Sequence, residues 1–326
     1  MVLYRTLRES SPQSTVFLLS LLAPGNFRKK GLKEVRWRTT GYGALFWCSF
    51  FKTFWRRRGW KEELILVSTR PLLLLFLSLL TGKKAVLVQP SKAWKTSLSL
   101  FRLLLVRYFA RTIFADDYEL VKELRRHNIP TYFSGNVLAD LLVPGDFSFS
   151  TGGKTIFSLF PRASSLEHDL VFLEETAEEI TLRVPAYFLL VIPRGVKVQE
   201  IREKAEVTGW RWRRSLEGEV VEGYLCKGKT YLNVTSFYQE ALRQADFVVS
   251  FDFVRVIQAT GFGKKTIPIF HLSPKEVAAL LSNPTYLFEH NLALLSRFGE
   301  RGGIRKIAHF LLFGVVEDQK FAIKGA

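Results

Sequence analysis

The chain has 326 residues, enough for two domains of ordinary size. Its hydrophobic share of 48% and charged share of 24% belong to a globular protein with a sizeable core. The two cysteines, Cys48 and Cys226, lie far apart and without metal-ligand spacing, which argues against a disulfide scaffold or zinc site and fits a reducing compartment.

Charge is distributed unevenly. Residues 1–114 hold 21 Lys and Arg against four Asp and Glu, while the other 212 residues hold 26 of each, so the whole net charge of +17 sits in the first third. Such clustering suggests a polyanionic partner: membrane phospholipid, nucleic acid or a phosphorylated substrate. A generally basic, solvated surface explains abundance but not clustering.

In chain order, Val2 to Ser11 reads as a helix and Thr15 to Leu22 as a buried strand. Arg5 and Arg8 before the run Val16 to Ala23 resemble a leader faintly, but Glu9 interrupts the basic region and a run of eight residues is too short. Phe46 to Trp60 combines bulky aromatics with Arg56, Arg57 and Arg58. A helix with Trp55 and Trp60 beside that basic turn would seat on an anionic membrane; a core helix ending in a solvated basic turn is the alternative. Leu64 to Ser68 is a strand, and Pro71 to Leu80 a buried helix opened by proline. That ten-residue run is the longest apolar stretch, and a bilayer needs about 20 residues. Lys84 to Val88 is a strand, Leu98 to Arg111 a helix, Thr112 to Ala115 a strand, and Asp117 to His127 a helix capped by Asp116 or Asp117. Pro130 to Phe133 is a strand leading into Ser134-Gly135-Asn136.

The Gly-, Pro- and Ser-rich stretch Val143 to Gly153 reads as the linker, dividing the chain at 146/147. Beyond it come strand Thr155 to Phe160, helix Ser165 to Leu182, strand Ala186 to Ile192 and helix Val198 to Val207. Val220 to Val234 reads as a hairpin or two short strands. Helix Tyr238 to Ala245, strand Phe247 to Phe251, helix Val254 to Thr260 ended by Gly261 and Gly263, and strand Thr266 to Phe270 follow. Helices Pro274 to Leu281, Pro284 to Phe298 and Ile304 to Phe313 close the chain. The alternation implies an α/β protein of two Rossmann-like parallel-sheet domains, with a ligand cleft at the strand C-terminal ends.

Several segments resemble one family in order. Tyr132-Phe-Ser-Gly-Asn-Val-Leu-Ala-Asp140 is similar to a Gly-Asn-Pro-Leu-x-Asp signature, and Phe160-Pro-Arg-Ala-Ser-Ser-Leu-Glu167 to a Leu-Pro-Gly-Ser-Arg-x-x-Glu loop. Ala241 to Ser250 with Gln258 to Gly263, Val88 to Trp94, and Arg301 to Phe310 match further stretches. The set resembles lipid-A-disaccharide synthase and its relatives, glycosyltransferases of the GT-B type. That resemblance implies two facing Rossmann-like domains and inverting transfer from a UDP-sugar to a lipid-linked acceptor in bacterial lipid A biosynthesis. It also implies a cytoplasmic protein peripheral to the inner face of the cell membrane, with no cofactor beyond the donor substrate.

The departures are specific. The family's opening strand and Glu-x-Ser-Gly-Asp loop have no counterpart, and residues 2–12 look like the helix that follows them. The chain is therefore expected to start late, by a misassigned start or truncation, or to have lost that strand. Leu66-Val-Ser-Thr-Arg-Pro71 lacks the family's carboxylate base. Gln258 stands where a Glu would hold the donor ribose, and Phe253 and Val254 where Gly and Thr would approach phosphate.

Donor binding is thus expected at Arg162, Ser164, Ser165, Ser250 and Gln258. The loop Arg162 to Ser165 opens a helix whose amides suit a diphosphate, with Arg162 adding a cation; equally, Ser164 or Ser165 caps that helix. Gln258 is either a ribose partner or a surface or capping glutamine. Asn136 is an acceptor or hinge residue, or simply part of a turn. Among the five histidines only His168 lies beside the expected donor loop, and no catalytic residue is assigned. The alternatives to a transferase are a diverged, inactive relative that binds lipid or a protein, and a nucleic-acid binder. No helix-turn-helix, RRM or zinc pattern accompanies the basic charge.

Overall fold

The computed structural model describes residues 65–67, 84–89, 100–142, 145, 147–215 and 220–313. The expected elements before residue 64, the basic aromatic segment 46–60, helix 71–80 and the segment Pro90 to Trp94 lie outside the described residues.

The chain divides into two compact units, residues 1–134 with 302–326, and residues 135–301. The sequence places the division at 146/147 instead. Residues 135–142 go with the second unit because they are bonded to its helices, as described below.

In the first unit, β1 (Ile65–Val67), β2 (Ala85–Gln89), β3 (Ala110–Ala115) and β4 (Thr131–Phe133) pair in that order, all parallel. Helix α1 (Leu100–Phe109) links β2 to β3, and α2 (Tyr118–Arg126) links β3 to β4. Of the two cap candidates, Asp117 caps α2, accepting from the amide of Glu119 at 3.0 Å. Leu120, Val121 and Leu124 give α2 its buried stripe. The helix ends where Asn128 turns into the left-handed region at φ 56°. The Asn128 amide then donates to Arg125 O and the Ile129 amide to Leu124 O. The closing helix α10 (Gly303–Phe313) belongs to this unit, with Phe310 stacked edge-on to Phe114 at 5.1 Å.

The second unit opens with the short helix α3 (Val137–Asp140) and holds a seven-stranded sheet. Its strands in chain order are β5 (Thr155–Phe160), β6 (Ala186–Val191), β7 (Arg211–Arg214), β8 (Gly223–Lys227), β9 (Thr230–Thr235), β10 (Phe247–Ser250) and β11 (Lys265–Ile267). Across the sheet they run β11-β10-β5-β6-β9-β8-β7. The first five are parallel; β8 is antiparallel to β9 and to β7, so an antiparallel meander extends the sheet the sequence implies. Strand β7 (Arg-Trp-Arg-Arg) has no apolar alternation to betray it. Its three arginines suit an edge strand, where charge discourages pairing with another chain. The other edge is closed differently: Asn291 Oδ1 accepts the Thr266 amide at 2.7 Å and Asn291 Nδ2 donates to Thr266 O at 3.0 Å.

Helices α4 (Leu166–Thr181), α5 (Val198–Val207), α6 (Tyr238–Gln244), α7 (Phe253–Gly261), α8 (Pro274–Ala279) and α9 (Pro284–Phe298) cover this sheet. Side-chain alternation in the strands splits the core in two. Phe157, Leu159, Leu190 and Val249 pack with Leu170, Leu173, Ala177 and Ile180 of α4. Phe160, Leu189, Val191 and Val248 pack on the other face with Ala241, Leu242 and Ala259 of α6 and α7. Each buried Leu or Ile contributes about 2 kcal/mol, and this two-sided burial makes the strands read as continuous apolar runs.

Gly261 closes α7 against α3. A Cβ there would lie 2.5 Å from Ala139 Cβ and 2.6 Å from Asn136 Nδ2. Gly→Ala in a helix normally stabilises by up to about 1 kcal/mol. Here Gly261→Ala is expected to destabilise by about 2 kcal/mol through overpacking, read as a lower urea midpoint.

Candidate functional site at the carboxyl edge of the second sheet

After β5 the chain continues towards β6 and β9 on one side; β10 and β11 then lie on the other side of β5. The reversal falls between β5 and β10, where Phe160 pairs with Ser250. The chain leaving β5 enters α4 on one face, and the chain leaving β10 enters α7 on the opposite face. Such a reversal is where open α/β sheets as a class bind ligands, in the crevice beyond the strand ends. The segments Arg162 to Ser165 and Ser250 to Gln258 flank it.

On the α4 side, Ala163–Ser165 forms a 3-10 turn and Ser165 stands at the helix N-cap without a side-chain capping bond. Ser164 is exposed and Ser165 half-buried. The opening amides of α4 are therefore not closed by either serine, an arrangement suited to an anion. Arg162 is not available in the same way. Its Nε and backbone N–H both donate to Asp169 Oδ2 at 2.8 Å, and Nη2 donates to Asp169 Oδ1 at 2.7 Å. Asp169 is wholly buried. The hydrogen bonds to Asp169 push the already high pKa of Arg162 further up; burial opposes this, and the charges of Asp169 and Asp252 add to it. The guanidinium also lies 5.1 Å from the centre of the Phe251 ring. His168 is exposed at the same corner, with Nδ1 3.6 Å from Asp169 Oδ1.

On the other side, Ser250 is buried and used internally. Its hydroxyl contacts Phe160 O at 3.3 Å and Asp252 O at 3.2 Å, and accepts the Asp252 amide at 3.0 Å. Asp252 caps α7 by accepting from the Val254 amide at 3.0 Å. Phe253 is exposed and meets Phe298 edge-on at 5.6 Å.

Gln258 is 4% exposed and presents no free amide. Its Nε2 donates to Leu138 O at 3.1 Å, and its Oε1 accepts from Arg255 Nη1 at 2.8 Å. The Arg255 guanidinium lies 4.3 Å from the centre of the Tyr238 ring. Asn136 is likewise committed: Oδ1 accepts from Ala139 N at 2.9 Å, Nδ2 donates to Ile257 O at 2.6 Å, and the backbone N–H donates to Glu300 O at 3.0 Å. Asn136 thus fastens α3 to α7, and α3 in turn supplies the carbonyl that orients Gln258. Sequence reading assigned no binding role to Asp169, Tyr238 or Arg255. The one available signal was the three-residue spacing of Arg255 and Gln258, which puts them on one helix face. The membrane-contact candidates Trp55, Arg56, Arg57, Arg58 and Trp60 lie outside the described residues. No helix among the described residues is long and apolar enough to cross a membrane.

No family model matches the chain, and no curated protein matches it. Solved structures do. A protein described as a UDP-N-acetylglucosamine 2-epimerase from Listeria monocytogenes aligns with a TM-score of 0.55 at 12% identity, covering 85% of this chain and 82% of that one. MnaA of S. aureus, solved with UDP, aligns with a TM-score of 0.50 at 9% identity, covering 82% and 77%. At such identities the likeness concerns the fold, and it spans both sheets rather than one. The chain is an α/β protein with parallel-dominated sheets in two units and carries the GT-B fold.

Proposed function

We propose that the protein binds a nucleotide sugar, with UDP as the nucleotide, at the crevice between β5 and β10 and transfers the sugar to a lipid-linked acceptor. One observation carries the reading: the strand order reverses at β5/β10, where the opening amides of α4 lack a side-chain cap. A diphosphate seated there would meet Ser164 and Ser165, with Ser250 and Gln258 bracing the opposite wall. The acceptor side rests on the basic excess of residues 1–114, which suits an anionic lipid surface at the inner face of the membrane.

Calorimetry with UDP and UDP-sugars tests the donor site. Saturable heat at millimolar UDP or below is expected, and folded protein giving none would overturn the reading. Flotation with liposomes tests the acceptor side. Binding to vesicles containing phosphatidylglycerol, lost at high salt, is expected; equal flotation with neutral vesicles would refute an electrostatic contact.

A second reading, a relative that binds the nucleotide without transferring sugar, is favoured by one feature. Arg162 is neutralised by Asp169, and Asp252 places a further carboxylate beside the crevice. UDP binding with no release of UDP from any UDP-sugar, acceptor lipid present, would select it.

A further inference from the structure

Arg255 is built differently from Arg162. Arg162 spends its charge on a fully buried carboxylate through two guanidinium hydrogen bonds, with its backbone N–H adding a third. Arg255 is held by a neutral group, the Gln258 amide, at 2.8 Å. Gln258 is itself fixed by the Leu138 carbonyl, and so by the α3 segment that Asn136 ties to α7. The ring of Tyr238, 4.3 Å away, supports the guanidinium, and the Arg255 side chain stays 25% exposed. Among the described residues, Asp252 has the only carboxylate within 4 Å. It stands 3.9 Å from Nε, beyond hydrogen-bond range, with its other oxygen spent on the Val254 amide. Two neutral supports thus orient a cation whose one nearby carboxylate makes no hydrogen bond to it.

Position completes the case. Tyr238 follows the carboxyl end of β9, and Asp252 follows that of β10, so Arg255 stands at the same sheet edge as the crevice. It does so on the face opposite α4. We propose that Arg255 is the receptor for the diphosphate of the nucleotide sugar, Gln258 and Tyr238 being the positioning residues that aim it. One phosphate meets the amides of α4, and the other meets the Nε and Nη2 edge of Arg255, a planar fork matched to phosphate oxygens. A neutral glutamine is then a requirement of the site. A carboxylate at position 258 would pair with the guanidinium and withdraw it.

This inference rests on the nucleotide-sugar reading, and the experiment separates the two. Binding of UDP and of uridine is measured by calorimetry for the unaltered chain, Arg255→Ala, Arg255→Lys and Gln258→Glu, each checked for an unchanged far-UV spectrum and cooperative unfolding. Arg255→Ala is expected to weaken UDP about 10- to 100-fold, the loss of charge-assisted hydrogen bonds, and to leave uridine unaltered. Arg255→Lys should fall between, because a point charge replaces the fork. Gln258→Glu should weaken UDP several-fold. Tighter UDP binding by Gln258→Glu would instead make position 258 a ribose partner and overturn the inference, as would Arg255→Ala binding UDP like the unaltered chain. Should Arg255→Ala not fold, the Lys and Gln258→Glu variants decide. If the unaltered chain binds no UDP, the nucleotide-sugar reading fails, and the assignment of Arg255 fails with it.

Discussion

Asp169→Ala is expected to destabilise the second unit by about 3 kcal/mol, because it strands a guanidinium and a backbone N–H that three hydrogen bonds now satisfy. Arg162 keeps part of its side chain in water, 40% exposed, which holds the loss near the lower end of the range for broken buried pairs. Urea unfolding followed by fluorescence reads it. The double variant Arg162→Ala with Asp169→Ala should recover part of the loss, since no unpaired charge remains, giving a coupling of about 1–3 kcal/mol. Strict additivity would show that the pair does not act as a unit. The consequence for function is local. Asp169 holds the Arg162 backbone, and so sets where the turn Ala163–Ser165 presents the amides of α4.

Glu174→Gln is expected to act in the opposite direction, by an amount that grows as pH rises from 4.5 to about 7. Glu174 is 1% exposed inside the packing of α4. Its Oε2 accepts from Thr208 Oγ1 at 2.6 Å, while Oε1 has no hydrogen-bond partner among the described residues. Burial pushes its pKa from the usual 4.5 up to about 7, against the smaller lowering by Thr208 and Lys227 and with slight reinforcement from Glu178 and Glu175. A carboxyl that holds its proton more tightly when folded stabilises fully below pH 4.5, and that contribution drains away as pH rises to about 7. The shift corresponds to about 3 kcal/mol. Glu174→Gln should therefore raise stability by up to about 3 kcal/mol at pH 8 and change little at pH 4.5. Equal gains at both values would assign the effect to packing instead. Lys227 does not rescue the ionised form, because its ammonium sits 2.7 Å from Glu178 Oε1.

The segments at the switch point were legible in the sequence, and their wiring was not. Arg162 to Ser165 and Ser250 to Gln258 do flank the switch point, because strand ends and helix starts carry local signals: a strand's apolar run, a polar turn, a renewed helical period. What each side chain does there depends on partners far along the chain. Gln258 meets a carbonyl 120 residues away, and Asn136 one 121 residues away. Asp169 lies only seven residues from Arg162, yet nothing in that spacing announces a buried pair. Ser165 stands where a capping serine belongs and makes no such bond, since the 3-10 turn before it sets the backbone otherwise.

Read alone, the chain established its α/β alternation, the bounds of elements such as Pro284–Phe298 and Val198–Val207, and a helix cap at Asp116 or Asp117. These depend on periodicity and on bonds within a few residues, which a linear string records. Strand order, the antiparallel meander through Arg211–Arg214, the division at 134/135 and the pairing of Arg255 with a neutral amide were decided by the tertiary structure. Each arises from segments brought together by burial of apolar surface, and that force has no direction and leaves no local mark on which neighbours it will choose.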